Sequence, residues 1–126
     1  MDRRRISSGS PYEPIVGFSR AVVAGPHVHV SGTAPVMPDG VAPPDDAYSQ
    51  ARRCFEIILA ALAEAGARAD DVVRTRIYVT SADFFEDAAR AHAEVFGEIR
   101  PASTAVVVQL LDPRWKVEIE AEAVLP

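Results

Sequence analysis

A chain of 126 residues with 48% hydrophobic and 25% charged side chains has the composition of one globular domain, long enough for a single core and not for two. Its formal net charge of −5 argues against wide contact with a phosphate backbone, so a nucleic-acid partner is not expected. No apolar run approaches the roughly 18 residues of a membrane span, and the basic start lacks the apolar stretch of a secretory signal. A cytoplasmic protein without a membrane partner is the expectation.

The leader, residues 1–14, carries Arg3-Arg4-Arg5 and reads as a partly mobile, solvated tail. Two β-compatible runs, 15–24 and 27–31, flank Gly25-Pro26 and predict an antiparallel hairpin. Gly32 follows directly, where glycine marks a bulge or the close approach of a ligand or backbone. Residues 37–46, dense in Pro, Gly and Asp, form a loop, and Asp45 or Asp46 can cap the first helix. Ala51, Phe55, Ile58, Leu62 and Ala65 give that helix one apolar side, and Gly66 suits its C-terminal stop. Cys54 falls within the same pattern as a small buried hydrophobe. As the single cysteine it excludes an intrachain disulfide and a thiolate metal cluster.

A strand over 71–79 sets Val73, Thr75, Ile77 and Val79 against Arg74, Arg76 and Tyr78. Ser81 can cap a second helix reaching Glu98, with Phe85, Ala88 or Ala89, His92 and Phe96 along its buried side. Two further apolar runs, 104–111 and 115–124, are separated by Asp112-Pro113 and read as strands. Alternation in the last run sets Trp115, Val117, Ile119, Ala121 and Ala123 opposite Lys116, Glu118, Glu120 and Glu122. Such a carboxylate row is either a solvent-facing edge or a row in which one Glu lines a pocket and handles protons. Alternation does not choose between them.

The element string is β-β-α-β-α-β-β: an α+β domain spanning 1–126, with two helices on one face of a mixed sheet. The other face mixes Val, Tyr and Leu with charge, which favours burial against further copies of the chain. His27 and His29 share a strand face, but no third ligand accompanies them, so no metal is assigned. His92 reads as a satisfied core imidazole. Phosphate-cradling glycine loops, nucleophile elbows and His-Glu-x-x-His motifs are absent from the sequence.

Val30-Ser31-Gly32, Thr75-Arg76-Ile77-Tyr78-Val79, Arg100-Pro101-Ala102 and Val117-Glu118-Ile119-Glu120-Ala121 together resemble the RidA family, also called YjgF/YER057c/UK114 or endoribonuclease L-PSP. The resemblance runs from about Ile6 to Val124. It implies a chorismate-mutase-like fold, a homotrimer, and small-molecule clefts between subunits where enamines or imines are hydrolysed without metal or cofactor. Glu118 matches the carboxylate that activates water, and Gly32, beside Ser31, the glycine whose backbone approaches substrate. Phe18 stands where a tyrosine is common. Ser103 departs from the pattern: deaminating members carry there an arginine that clamps the substrate carboxylate. Ser103 and Thr104 offer hydroxyls suited to a neutral polar group, while Arg20, Arg76, Arg100 and Arg114 are the cations left to replace the clamp. The implied function is enamine or imine hydrolysis with altered anchoring. The alternatives are a non-catalytic ligand-binding or chaperone-like trimer and, on the older label, an endoribonuclease.

Overall fold

The computed structural model describes residues 2–126. Six strands form one mixed sheet: β1 (Arg3–Ile6), β2 (Ala21–Ala24), β3 (His27–Thr33), β4 (Val72–Val79), β5 (Ala102–Val107) and β6 (Val117–Val124), in spatial order β1-β2-β3-β6-β4-β5. All pairings are antiparallel except β4 with β5, which run parallel and are linked through a helix. That helix, α2 (Phe85–Phe96), and the longer α1 (Ala47–Ala65) make up the helical part of the expected α+β domain.

The period-two pattern of β6 decides which face is which. Val117, Ile119, Ala121 and Ala123 are buried with Val28, Val30, Ile77 and Val79 beneath the α1 side chains Ala51, Cys54, Phe55, Ile58 and Leu62. The intervening side chains point to the open face, where Arg74 and Arg76 of β4 stand opposite Glu122 and Glu120, and Tyr78 opposite Glu118. Helix α1 starts as expected: the Asp46 carboxylate accepts the Ser49 amide at 2.9 Å, one of the donors a helix N-terminus leaves unpaired. It stops at Gly66, whose φ of 88° lies in the left-handed region that a Cβ disfavours.

Five sequence expectations change. Arg3–Ile6 is the edge strand β1, not a free tail; a basic strand at a sheet edge carries no apolar signature, and its charges discourage pairing with another chain. Arg4 is moreover held by α1, donating to the carbonyls of Glu64 and Ala65 at the helix's negative end. The run 15–24 is strand only from Ala21, because Glu13–Gly17 makes a wide helical turn with Pro14 in its first turn. Val73 is 49% exposed because β4 and β6 slip register between Val72 and Arg74. Ser81 caps the short turn Ala82–Phe84 rather than α2, and this rotates Phe85 outward to 43% exposure. Trp115 lies in the turn ahead of β6 and is only half-buried.

The sequence pattern did not flag Gln50, yet it ties α1 to the start of β6. Its buried side-chain amide donates to the carbonyls of Pro44 (2.7 Å) and Arg114 (2.9 Å), and its carbonyl accepts the Lys116 amide (2.7 Å). Replacing it by an apolar isostere strands these backbone groups away from water. Gln50→Leu is therefore expected to lower the unfolding free energy by roughly 2–4 kcal/mol in denaturant titrations. A loss below about 0.5 kcal/mol would mean that these groups find other partners.

Candidate functional site

Antiparallel pairing puts the carboxylates of β6 against the cations and the phenol of β4, and the pairing is uneven. Arg76 Nη1 bonds Glu122 at 2.9 Å and lies 3.6 Å from Glu120. The Tyr78 hydroxyl donates to Glu120 at 2.5 Å. Glu122 is accordingly held below its usual pKa by the hydrogen bond from Arg76, and the Tyr78 phenol is pushed up by its bond to Glu120. Glu118 receives neither: among the described residues it has no hydrogen-bond or ion-pair partner. Burial pushes its pKa above the ordinary carboxylate value, Arg20 pulls it back down, and Glu120 pushes it up again.

A cleft of about 400 Å³ opens over this carboxylate, with Gly32, Tyr78, Glu118 and Glu120 along one side and Val108–Leu111 along the other. Residues Val108–Leu111 follow β5, whose extension is fixed where the Val108 amide donates to the Val79 carbonyl. Leu111 at the lip is 97% exposed. Gly32 leaves room for the Glu118 carboxylate in its present rotamer. A Cβ at this position would lie 2.5 Å from Glu118 Oε2, and β3 and β6 lose register between Val30 and Thr33, the bulge that the glycine foreshadows.

The other sequence candidates fall elsewhere. Phe18 and Ser31 line a separate concavity of about 500 Å³ with Arg5, Glu13 and Ser19. Ser103 pairs with Thr75, and Glu118 pairs with Tyr78, an odd three positions further along β4. The two therefore face opposite sides of the sheet. Ser103 instead accepts from Thr75 Oγ1 at 2.8 Å, and Thr75 Oγ1 also lies 2.8 Å from His92 Nε2. His92 is half-buried against Phe55 and Phe96, and burial lowers its pKa, so it is a satisfied imidazole as expected. Thr104 is on the open face, accepting from Arg74 at 3.0 Å. Of the alternative cations, Arg76 is committed to carboxylates, Arg114 is paired with Asp112 at 2.8 Å, and Arg100 is exposed with a φ of 57°. Arg20 alone sits beneath Gly32, donating to its carbonyl at 2.8 Å.

Burial pushes the Cys54 thiol far up, so it is not a nucleophile. His27 and His29 stack at 6.4 Å, and no cluster of three metal-ligating side chains occurs among the described residues. No helix among them is long and apolar enough to cross a membrane.

A sequence model described as endoribonuclease L-PSP matches residues 9–125. An uncharacterised protein of Streptomyces coelicolor is 40% identical over 121 residues, covering 95% of this chain and 90% of its own. The 2-iminobutanoate/2-iminopropanoate deaminase of Salmonella typhimurium is 33% identical over 110 residues, covering 85% of this chain and 86% of its own. Among solved structures, a member of the YjgF/YER057c/UK114 family from Mycobacterium tuberculosis is 44% identical and superposes with a TM-score of 0.90, covering 98% of this chain and 100% of that one.

Two outcomes follow from the packing around Glu118. A carboxyl whose folded pKa is raised favours the folded state below its unfolded pKa, and that advantage is lost as pH rises through the folded value. Near neutral pH the ionised group is thus a burden that an amide does not carry. Glu118→Gln should raise Tm there, with the gain vanishing below the ordinary Glu range; an equal gain at both pH values would mean that charge is not the cause. Gly32→Ala should fold with a loss of no more than about 1 kcal/mol, because the obstructing atom is the end of a flexible side chain. Its crystal structure should show the Glu118 carboxylate displaced from its present rotamer, and an unmoved carboxylate would contradict the close approach.

Proposed function

The chain belongs to the endoribonuclease L-PSP family, known also as the RidA or YjgF/YER057c/UK114 family, and from that premise we propose that it hydrolyses reactive imines or enamines to a carbonyl compound and ammonia. The observation that carries the reading is Glu118: alone of the three carboxylates on β6 it has no partner, and it lies half-buried in a cleft against a glycine backbone. A carboxylate of raised pKa can take a proton from water and give it back within one cycle.

The chemistry balances with water as the only co-reactant. Glu118 accepts a proton as the water oxygen bonds to the carbon of the protonated imine, leaving a neutral carbinolamine. It returns that proton to the nitrogen. The C–N bond then breaks as the hydroxyl proton passes to Glu118 and the carbonyl forms, and the departing ammonia takes that proton from Glu118 to leave as ammonium. An enamine first takes up a proton at carbon to become the protonated imine. No metal or cofactor enters this sequence.

The working unit in this reading is a homotrimer in the cytoplasm. Apolar side chains at the β5 edge and the cleft lip support assembly: Val106, Val107 and Leu111 are exposed by 42%, 58% and 97% in the single chain. Because Ser103 and Glu118 face opposite sides of one sheet, a cleft containing both is built from two subunits. The substrate end anchored near Ser103 and Thr104 is neutral and hydrogen-bonding rather than a carboxylate, since a serine supplies no planar cation. A ribonuclease reading gains nothing here: Arg4, Arg76 and Arg114 are each taken up by partners within the chain.

The deciding assay generates imines in situ with an amino-acid oxidase and follows their hydrolysis, alongside uncarboxylated imines. Wild type should accelerate the uncarboxylated ones, and Glu118→Ala should abolish this. A charge-assisted hydrogen bond is worth roughly 1.5–3 kcal/mol, so Ser103→Arg should improve carboxylated substrates about 10- to 150-fold. If no variant accelerates any imine, a non-catalytic ligand-binding trimer is the better account. Light scattering that finds single protomers in dilute buffer would remove the shared cleft altogether.

A further inference from the structure

Arg20 is the one buried cation among the described residues, and it has no ion-pair partner there. Its Nη1 donates to the Gly32 carbonyl at 2.8 Å and to Thr33 Oγ1 at 2.9 Å. The guanidinium stands 5.4 Å from the centre of the Phe18 ring, and its Nε is buried with no acceptor. A buried charge without a contacting partner is costly, and the carboxylates that act on this one from a distance are Glu13, the more strongly, and Glu118. Here the compensation is structural and electrostatic together. Thr33 Oγ1 passes the hydrogen bond on to the Ser31 carbonyl, Ser31 Oγ donates to the Ser19 carbonyl, and the Ser31 amide donates to the carbonyl of Arg20 itself. Every link spans the segment where β3 and β6 lose register.

We propose that Arg20 is a positioning residue: it holds the bulge at Ser31 and Gly32 against Glu118 and serves as the buried counter-charge of the Glu118 carboxylate. The groups facing Glu118 leave this task to Arg20. Glu120 on the same strand is a like charge, and the Tyr78 hydroxyl across from it is spent on Glu120. Arg76 is neutralised by Glu120 and Glu122, and the Cys54 thiol on α1 stays protonated because burial pushes it up. Only Arg20 favours the ionised form, in opposition to burial. The guanidinium also suits the geometric half of the role, because the one nitrogen that serves both acceptors is fixed in a rigid plane, whereas an ammonium sits on a flexible stem.

This inference deepens the reading of Glu118 as the proton-handling group, but its test needs no turnover and so fails or succeeds apart from it. The Glu118 carboxyl is followed by carbon NMR through a pH titration in wild type, Arg20→Gln and Arg20→Lys, with Glu118→Gln to assign the signal. Amide hydrogen exchange over Ser31–Thr33 is measured on the same samples. Arg20→Gln should raise the Glu118 midpoint by about one pH unit or more, and Arg20→Lys by less, while both speed exchange at Gly32 and Thr33. An unmoved midpoint in Arg20→Gln overturns the counter-charge, and unmoved exchange in either folded variant overturns the hold on the bulge. Should Arg20→Gln not fold, Arg20→Lys decides alone: a protein that merely needs filled volume would show neither change.

Discussion

The distribution of positive charge over a row of three carboxylates governs what this molecule can do. Glu118, Glu120 and Glu122 share one face of β6, and such a row is tolerated only where water or cations reach it. Strand β4 answers with Arg76 and Tyr78, which engage Glu122 and Glu120. The third is served from the other side of the sheet order, by a guanidinium buried ahead of β2 that stands off without touching it. A fully paired Glu118 would be a stable and chemically idle group. In the proposed reading, the departure from full pairing is what lets Glu118 transfer a proton, and it costs stability to maintain.

Where the sequence was legible, one physical period dominated. The alternation of β6, the α1 stripe through Phe55 and Leu62, the Asp46 cap and the Gly66 stop each follow from a local rule that tertiary packing does not override. The misread parts are those where local pattern and environment part company. Arg3–Ile6 is held in the sheet by its neighbours and not by any apolar alternation of its own. Val73 obeys the strand period, but a register slip turns it outward. The alternation placed three carboxylates on one face without ranking them, because the ranking depends on Tyr78 and Arg76 across the pair and on Arg20 beneath. Gln50 carries no signal in a single sequence and Arg20 stands there only as one of four candidate cations, since a buried polar residue is recognised by the backbone groups it satisfies.

Strand parity has a further consequence at position 103. Thr75 and Tyr78 are three residues apart on β4, so the strands bonded to either side present Ser103 and Glu118 to opposite faces. No rotamer brings these groups together within one subunit. The proposed function puts both in one cleft, which would require a neighbouring copy to lend its β5 edge. Strand β5 suits that task. It is exposed along its whole length, ends the sheet, and leads into the segment Val108–Leu111 that walls the cleft.

Assembly also bears on Glu118. A partner laid over the open face would remove water from a carboxylate that is already half-buried, strengthening every charge interaction it has. Desolvation would then push its pKa further up, and the attraction of Arg20 would grow in the same medium, so the two effects oppose each other as they do in the single chain. In the proposed reading, the buried guanidinium below Gly32 opposes that desolvation and lets the carboxylate both accept and return a proton. The side chain at position 103 does not enter this balance, since Ser103 lies on the other face. On that reading, the proton chemistry at Glu118 and the anchoring beside Ser103 are therefore separable, because the two side chains stand on opposite faces of the sheet.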